Sequence, residues 1–134
     1  MAKKILIVDD DQDVIVFLTT LLEDKGYQVV HALNGRIGLE MATDEAPDLI
    51  LLDLMMPQKS GISLLGDLKK DAYLRKIPVI MVTGVAGETG IDLESFFAKG
   101  EKKGKEAVPL RPEGYLQKPV DPEKLIILIE EFFK

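Results

Sequence analysis

The sequence predicts an α/β protein built on a doubly wound parallel sheet. Three observations carry this. The apolar runs 5–8, 49–52 and 79–82 are continuous and rich in branched residues, so they read as strands buried on both faces. Stretches with apolar residues at helical spacing separate them. The units repeat at a length that suits β-α crossovers, whose right-handedness places helices on both faces of the sheet.

Taken in order, residues 5–8 form the first strand. Val14, Phe17, Leu18, Leu21 and Leu22 fall at i, i+3, i+4, i+7 and i+8, one stripe of a helix capped by Asp11 and stopped at Lys25 and Gly26. Residues 28–32 form a second strand, and Asn34 caps a second helix carrying Ile37, Leu39 and Met41. Residues 49–53 form the third strand. Ser60 and Gly61 open a third helix carrying Ile62, Leu64, Leu65 and Leu68. Residues 78–83 form a fourth strand and residues 114–117 a short fifth. Asp121 and Pro122 are the N-cap and first turn of a final helix with Leu125, Leu128, Ile129 and Phe132 on one face. Residues 84–114 break the rhythm. They hold glycines at 84, 87, 90, 100, 104 and 114, prolines at 109 and 112, and lysines at 99, 102, 103 and 105. Ile91, Leu93, Phe96 and Phe97 allow a short helix there; the remainder reads as loop.

Size and composition narrow the function. The 134 residues suffice for one domain, expected to span 1–134, and are too few for two. The net charge of −6 argues against sequence-independent binding of nucleic acid. No run approaches the length of a membrane span, and the N-terminus is not a signal peptide. With no cysteine, disulfides and thiolate metal sites are excluded, which fits a cytoplasmic protein. His31, the one histidine, is expected at the surface.

The chemistry lies in the acidic residues that end the strands. Asp53 ends the third strand, and Asp9, Asp10 and Asp11 follow the first. Open α/β sheets place ligands at this carboxyl edge. If the two strands are neighbours, several carboxylates converge and need a cation or protons to offset them. Oxygen ligands without His or Cys suit Mg²⁺, which also recruits phosphate. Asp53 is then placed to attack phosphorus and become an aspartyl phosphate. Thr83, ending the fourth strand, would donate its hydroxyl to a phosphoryl oxygen. Lys118, after the fifth strand and before Pro119, would supply a compact cation. Asp11 alone reads as a helix cap.

These residues, Ile7-Val8-Asp9-Asp10, Leu52-Asp53-Leu54-Met55-Met56-Pro57 with Gly61, Val82-Thr83-Gly84 and Tyr115-Leu116-Gln117-Lys118-Pro119, resemble the ordered signature of response-regulator receiver domains of two-component signalling. The resemblance covers essentially the whole chain. It implies a flavodoxin-like (βα)₅ fold with strand order 2-1-3-4-5. It implies that Asp53 is the phosphoacceptor and that Asp9, Asp10, Asp53 and the Met55 carbonyl hold Mg²⁺. Thr83 and Lys118 would contact the phosphoryl oxygens, and Tyr115 with Thr83 would form the switch. The implied partners are a sensor histidine kinase or a histidine phosphotransfer protein, and a downstream protein target; neither nucleic acid nor membrane is expected. Because the final helix ends at the last residues, a stand-alone domain is expected.

The segment from Thr83 to Lys118 is longer than that family usually shows, which bears on how Tyr115 switches and which surface partners read. Met55 and Val85 flank the path of the hydrolytic water in the resembling family. Neither side chain can act as a base, so slow self-dephosphorylation is expected. Two other readings compete. A haloacid-dehalogenase-type phosphatase also uses a strand-end aspartate, but it carries an acid/base Asp where this chain has Met55. A receiver-like scaffold that binds partners regardless of phosphorylation is the alternative.

Overall fold

The computed structural model describes residues 2–53, 61–83, 112–117 and 120–133, with the side chains of Ile62 and Thr83 excepted. The strands are β1 (Lys4–Val8), β2 (Gln28–Ala32), β3 (Leu49–Asp53), β4 (Val79–Thr83) and β5 (Gly114–Gln117). The helices among the described residues are α1 (Gln12–Asp24), α2 (Gly35–Glu45), α3 (Gly61–Lys70) and α4 (Pro122–Phe132), with a 3₁₀ turn at Leu74–Lys76. All strand pairings are parallel, in the order β2-β1-β3-β4-β5. This is the flavodoxin-like arrangement expected from the sequence.

Alternate strand residues face opposite sides, so the sheet has two cores. Leu6, Val8, Ile50, Leu52, Val79 and Met81 pack with Leu64, Leu65 and Leu68 of α3 and Ala42 of α2. Ile5, Ile7, Leu49, Leu51, Ile80 and Val82 pack with Ile15, Leu18 and Leu22 of α1 and Leu125, Ile126 and Ile129 of α4. Central strands covered on both faces have no solvent side, which is why β3 reads as an unbroken apolar run.

The caps form as the sequence implies. Asp11 accepts from the Asp13 N–H at 2.9 Å, Asn34 from the Ile37 N–H at 2.9 Å, and Asp121 from the Glu123 N–H at 2.9 Å. Each satisfies a backbone donor that a helix start leaves without a partner. Gly26, at φ +92°, turns the chain out of α1, a conformation that favours glycine.

Val14, Leu18, Leu21 and Leu22 of α1 and Leu39 and Met41 of α2 pack on the core as expected, and one expected residue in each helix does not. In α1 the buried residues are Ile15, Leu18 and Leu22, while Phe17 is exposed. In α2 the core side is Gly35, Gly38 and Ala42, and Ile37 faces out. The reason in α2 is proximity. A Cβ on Gly38 would lie 3.0 Å from both methyls of Val8 and 3.1 Å from a methyl of Leu64. The helix approaches Val8 of β1 and Leu64 of α3 so closely here that a larger residue would need their methyls to give way.

The exposed Asp71 closes the turn after α3. Its Oδ1 accepts from the Leu74 N–H at 3.0 Å and the Tyr73 N–H at 2.8 Å. The Leu74 bond first and the Tyr73 bond second favour the ionised carboxylate and hold its pKa below the ordinary value. The unfolded chain therefore binds the proton more readily. The stabilisation is complete above the unfolded pKa of about 3.9 and is lost as pH falls through the lower native value. In urea unfolding, the stability gap between wild type and Asp71→Ala is expected to be constant above about pH 5 and to shrink below about pH 4.

Candidate functional site

Strand register assembles the site. Val8 lies opposite Leu52, so Asp9, just past the end of β1, and Asp53, the last residue of β3, come side by side. Parallel neighbours run about 4.8 Å apart. β1 and β3 also flank the position where the strand order reverses, the crevice in which open α/β sheets bind ligands. Asp10 follows directly at the turn into α1.

One carboxylate oxygen from each of Asp9, Asp10 and Asp53 lies within 4.8 Å of the others. Asp9 is 2% exposed and Asp53 6%, whereas Asp10 faces solvent. Asp9 Oδ1 accepts the Asp11 N–H at 2.9 Å, while the Asp11 carboxylate caps α1. The turn that presents the cluster is thus pinned at both ends. At an effective dielectric near 20, two charges at this separation repel by roughly 3–4 kcal/mol, which weighs most on the buried Asp9 and Asp53.

The donor set is made of hard oxygens, with no imidazole or thiolate beside it among the described residues. Two buried carboxylates and one exposed one fit an ion that keeps several waters, as Mg²⁺ does, better than one that needs a closed protein cage. The residues present therefore fit the implied metal, and Asp9, Asp10 and Asp53 are the ones that would hold it.

The other expected site residues are placed unevenly. The Thr83 backbone ends β4, opposite Gln117 of β5. Tyr115 is half-buried against the core on the α2 and α3 side. Lys118, Met55, Val85 and residues 84–111 lie outside the described residues. His31 is exposed, as expected.

One pair went unforeseen. Lys69, on the last turn of α3, is only 5% exposed and forms an ion pair with Glu113, just before β5. The signal for it was Lys69 standing four residues after the core residue Leu65, at the edge of the apolar stripe.

Comparison with known proteins agrees with this fold. The family model of the response regulator receiver domain matches residues 5–130. Protein PilH of Pseudomonas aeruginosa is 39% identical over 123 residues, covering 92% of this chain and 91% of that one. The chemotaxis protein CheY4 of Vibrio cholerae superposes with a TM-score of 0.80 at 25% identity, over 98% of this chain and 99% of that one. The receiver domain of the sensor histidine kinase PA1611 from Pseudomonas aeruginosa shares the fold, with a TM-score of 0.78 at 21% identity over 98% of each chain. Its structure has a magnesium ion coordinated in the active-site cleft. No helix among the described residues is long and apolar enough to cross a membrane. The chain belongs to the response regulator receiver domains, signalling domains of two-component systems.

Proposed function

We propose that Asp53 accepts a phosphoryl group from a phosphohistidine on a sensor kinase or a histidine phosphotransfer protein. An Asp53 carboxylate oxygen attacks phosphorus. A P–O bond forms as the P–N bond breaks, and the imidazole leaves with the electron pair and takes up a proton. Asp9, Asp10, Asp53 and the Met55 carbonyl would hold Mg²⁺, which would offset the carboxylate charge and supply a positive centre for the phosphoryl oxygens. Lys118 and the Thr83 hydroxyl pair with those oxygens, and Thr83 with Tyr115 carries the change to a downstream protein.

Residues 1–134 act as one receiver domain with no separate substrate pool. Because Met55 and Val85 supply no base, the phosphoryl group leaves slowly. The same reading places the chain in the cytoplasm, where phosphohistidine is made from ATP.

The observation that supports this most is the meeting of Asp9, Asp10 and Asp53 at the carboxyl ends of adjacent strands, two of them buried. Incubation with acetyl phosphate, read by intact mass, tests it. One phosphate-sized gain is expected with Mg²⁺ and none with a chelator. No gain, or a gain indifferent to the chelator, contradicts the reading.

A further inference from the structure

We propose that Lys69 and Glu113 clamp the register of β5 and are thereby positioning residues for phosphoryl transfer at the opposite end of the sheet; the functional half rests on the phosphoacceptor reading above. β5 has four residues, lies at the sheet edge, and is joined to β4 through residues 84–113. A strand so short, reached by so long a connection, has little in its own ladder to fix its register.

The clamp supplies what the ladder lacks. Lys69 Nζ pairs with Glu113 Oε1 and reaches the carbonyls of Arg75 and Ile77 at 3.4 Å each. Glu113 Oε2 accepts the Val79 N–H at 2.6 Å, and the Glu113 N–H donates to the Val79 carbonyl at 2.8 Å. Glu113 therefore ties the residue before β5 both to α3 and to the first residue of β4.

Lys69 is buried, so its charge requires an acidic partner, and the neighbouring registers offer none. A slip of one residue brings Pro112 or Gly114 to that place; a slip of two brings Arg111 or Tyr115. A slip of one would also exchange Tyr115 and Leu116 between the two cores against which they pack.

The register it selects runs from Ile80 opposite Gly114 to Thr83 opposite Gln117. Val82 in turn lies opposite Asp53. The clamp thus decides, about 13 Å away at ~3.3 Å per residue, that β5 ends with Gln117 opposite Thr83. Lys118 is the next residue in the sequence.

Glu113→Gln keeps the size and removes the charge. It is expected to slow Asp53 phosphorylation at saturating acetyl phosphate by about tenfold or more. Mg²⁺ affinity, set on β1 and β3, is expected to stay within about twofold, since no ligand moves. Cross-strand amide NOEs between β4 and β5 are expected to shift. Lys69→Met/Glu113→Leu removes both charges and is expected to recover the melting temperature but not the rate or the NOE pattern. It also decides the question if Glu113→Gln does not fold. A folded Glu113→Gln with the wild-type rate and NOEs overturns the proposal, and so does a double variant that recovers stability and rate together. If the wild type takes up no phosphate, the phosphoacceptor reading fails by itself; the NOEs then decide the clamp, unchanged ones overturning it.

Discussion

Asp53→Asn is expected to gain no phosphate mass under conditions in which the wild type is phosphorylated by acetyl phosphate, a loss of ~10³-fold or more in initial rate. The substitution is nearly isosteric in a site that leaves the side chain 6% exposed, so the strand and its register should persist. What changes is chemical. The anionic oxygen that attacks phosphorus becomes an amide, and one of three oxygens within 4.8 Å of one another loses its charge. Circular dichroism should match the wild type, which separates lost chemistry from lost fold. A phosphate gain that persists in the variant would mean that another residue is the acceptor.

Asp10→Asn is expected to move stability in opposite directions with and without metal. In chelator, the variant should be at least as stable as the wild type, because a negative charge beside two buried carboxylates is gone. With Mg²⁺ in hundredfold excess over its Kd, the wild type gains about 2.7 kcal/mol. A tenfold weaker site gains about 1.4 kcal/mol at the same concentration. Urea unfolding with and without Mg²⁺ reads both effects, and an equal Mg²⁺ gain in the two proteins would remove Asp10 from the ligand set. Asp10 suits this test better than Asp9, whose Oδ1 also accepts the Asp11 N–H.

Where local chemistry decides an element, its sequence is sufficient. Asp11, Asn34 and Asp121 cap the helices they precede because each offers a short side-chain oxygen to the first turn, whatever packs nearby. β3 ends on Asp53 because an apolar run buried on both faces cannot extend past a carboxylate without carrying it into the core.

Where tertiary contacts decide, the sequence is ambiguous. α1 carries Val14, Ile15, Val16, Phe17 and Leu18 in succession, so several apolar stripes fit the helical period. Packing against β1 and β3 buries Ile15 with Leu18 and Leu22, partly covers Val14 and Leu21, and leaves Phe17 in solvent. In α2 hydrophobicity favours Ile37, whereas the close approach at Gly38 favours small residues. The convergence of Asp9 and Asp53 depends on β1 and β3 being neighbours, which apolar periodicity does not specify and the family resemblance did. The Lys69–Glu113 pair joins residues 44 positions apart and left only the faint trace of a lysine at the margin of an apolar stripe.

Everything functional proposed for this chain requires the three strand-end carboxylates to hold a divalent cation. The most direct measurement is a Mg²⁺ titration followed residue by residue through backbone amide NMR. Saturable shifts centred on Asp9, Asp10, Asp11 and Asp53, and weakened in Asp10→Asn, are the expected result. Shifts that never saturate, or that spread evenly over acidic positions far from this edge such as Asp24 and Glu130, would contradict it.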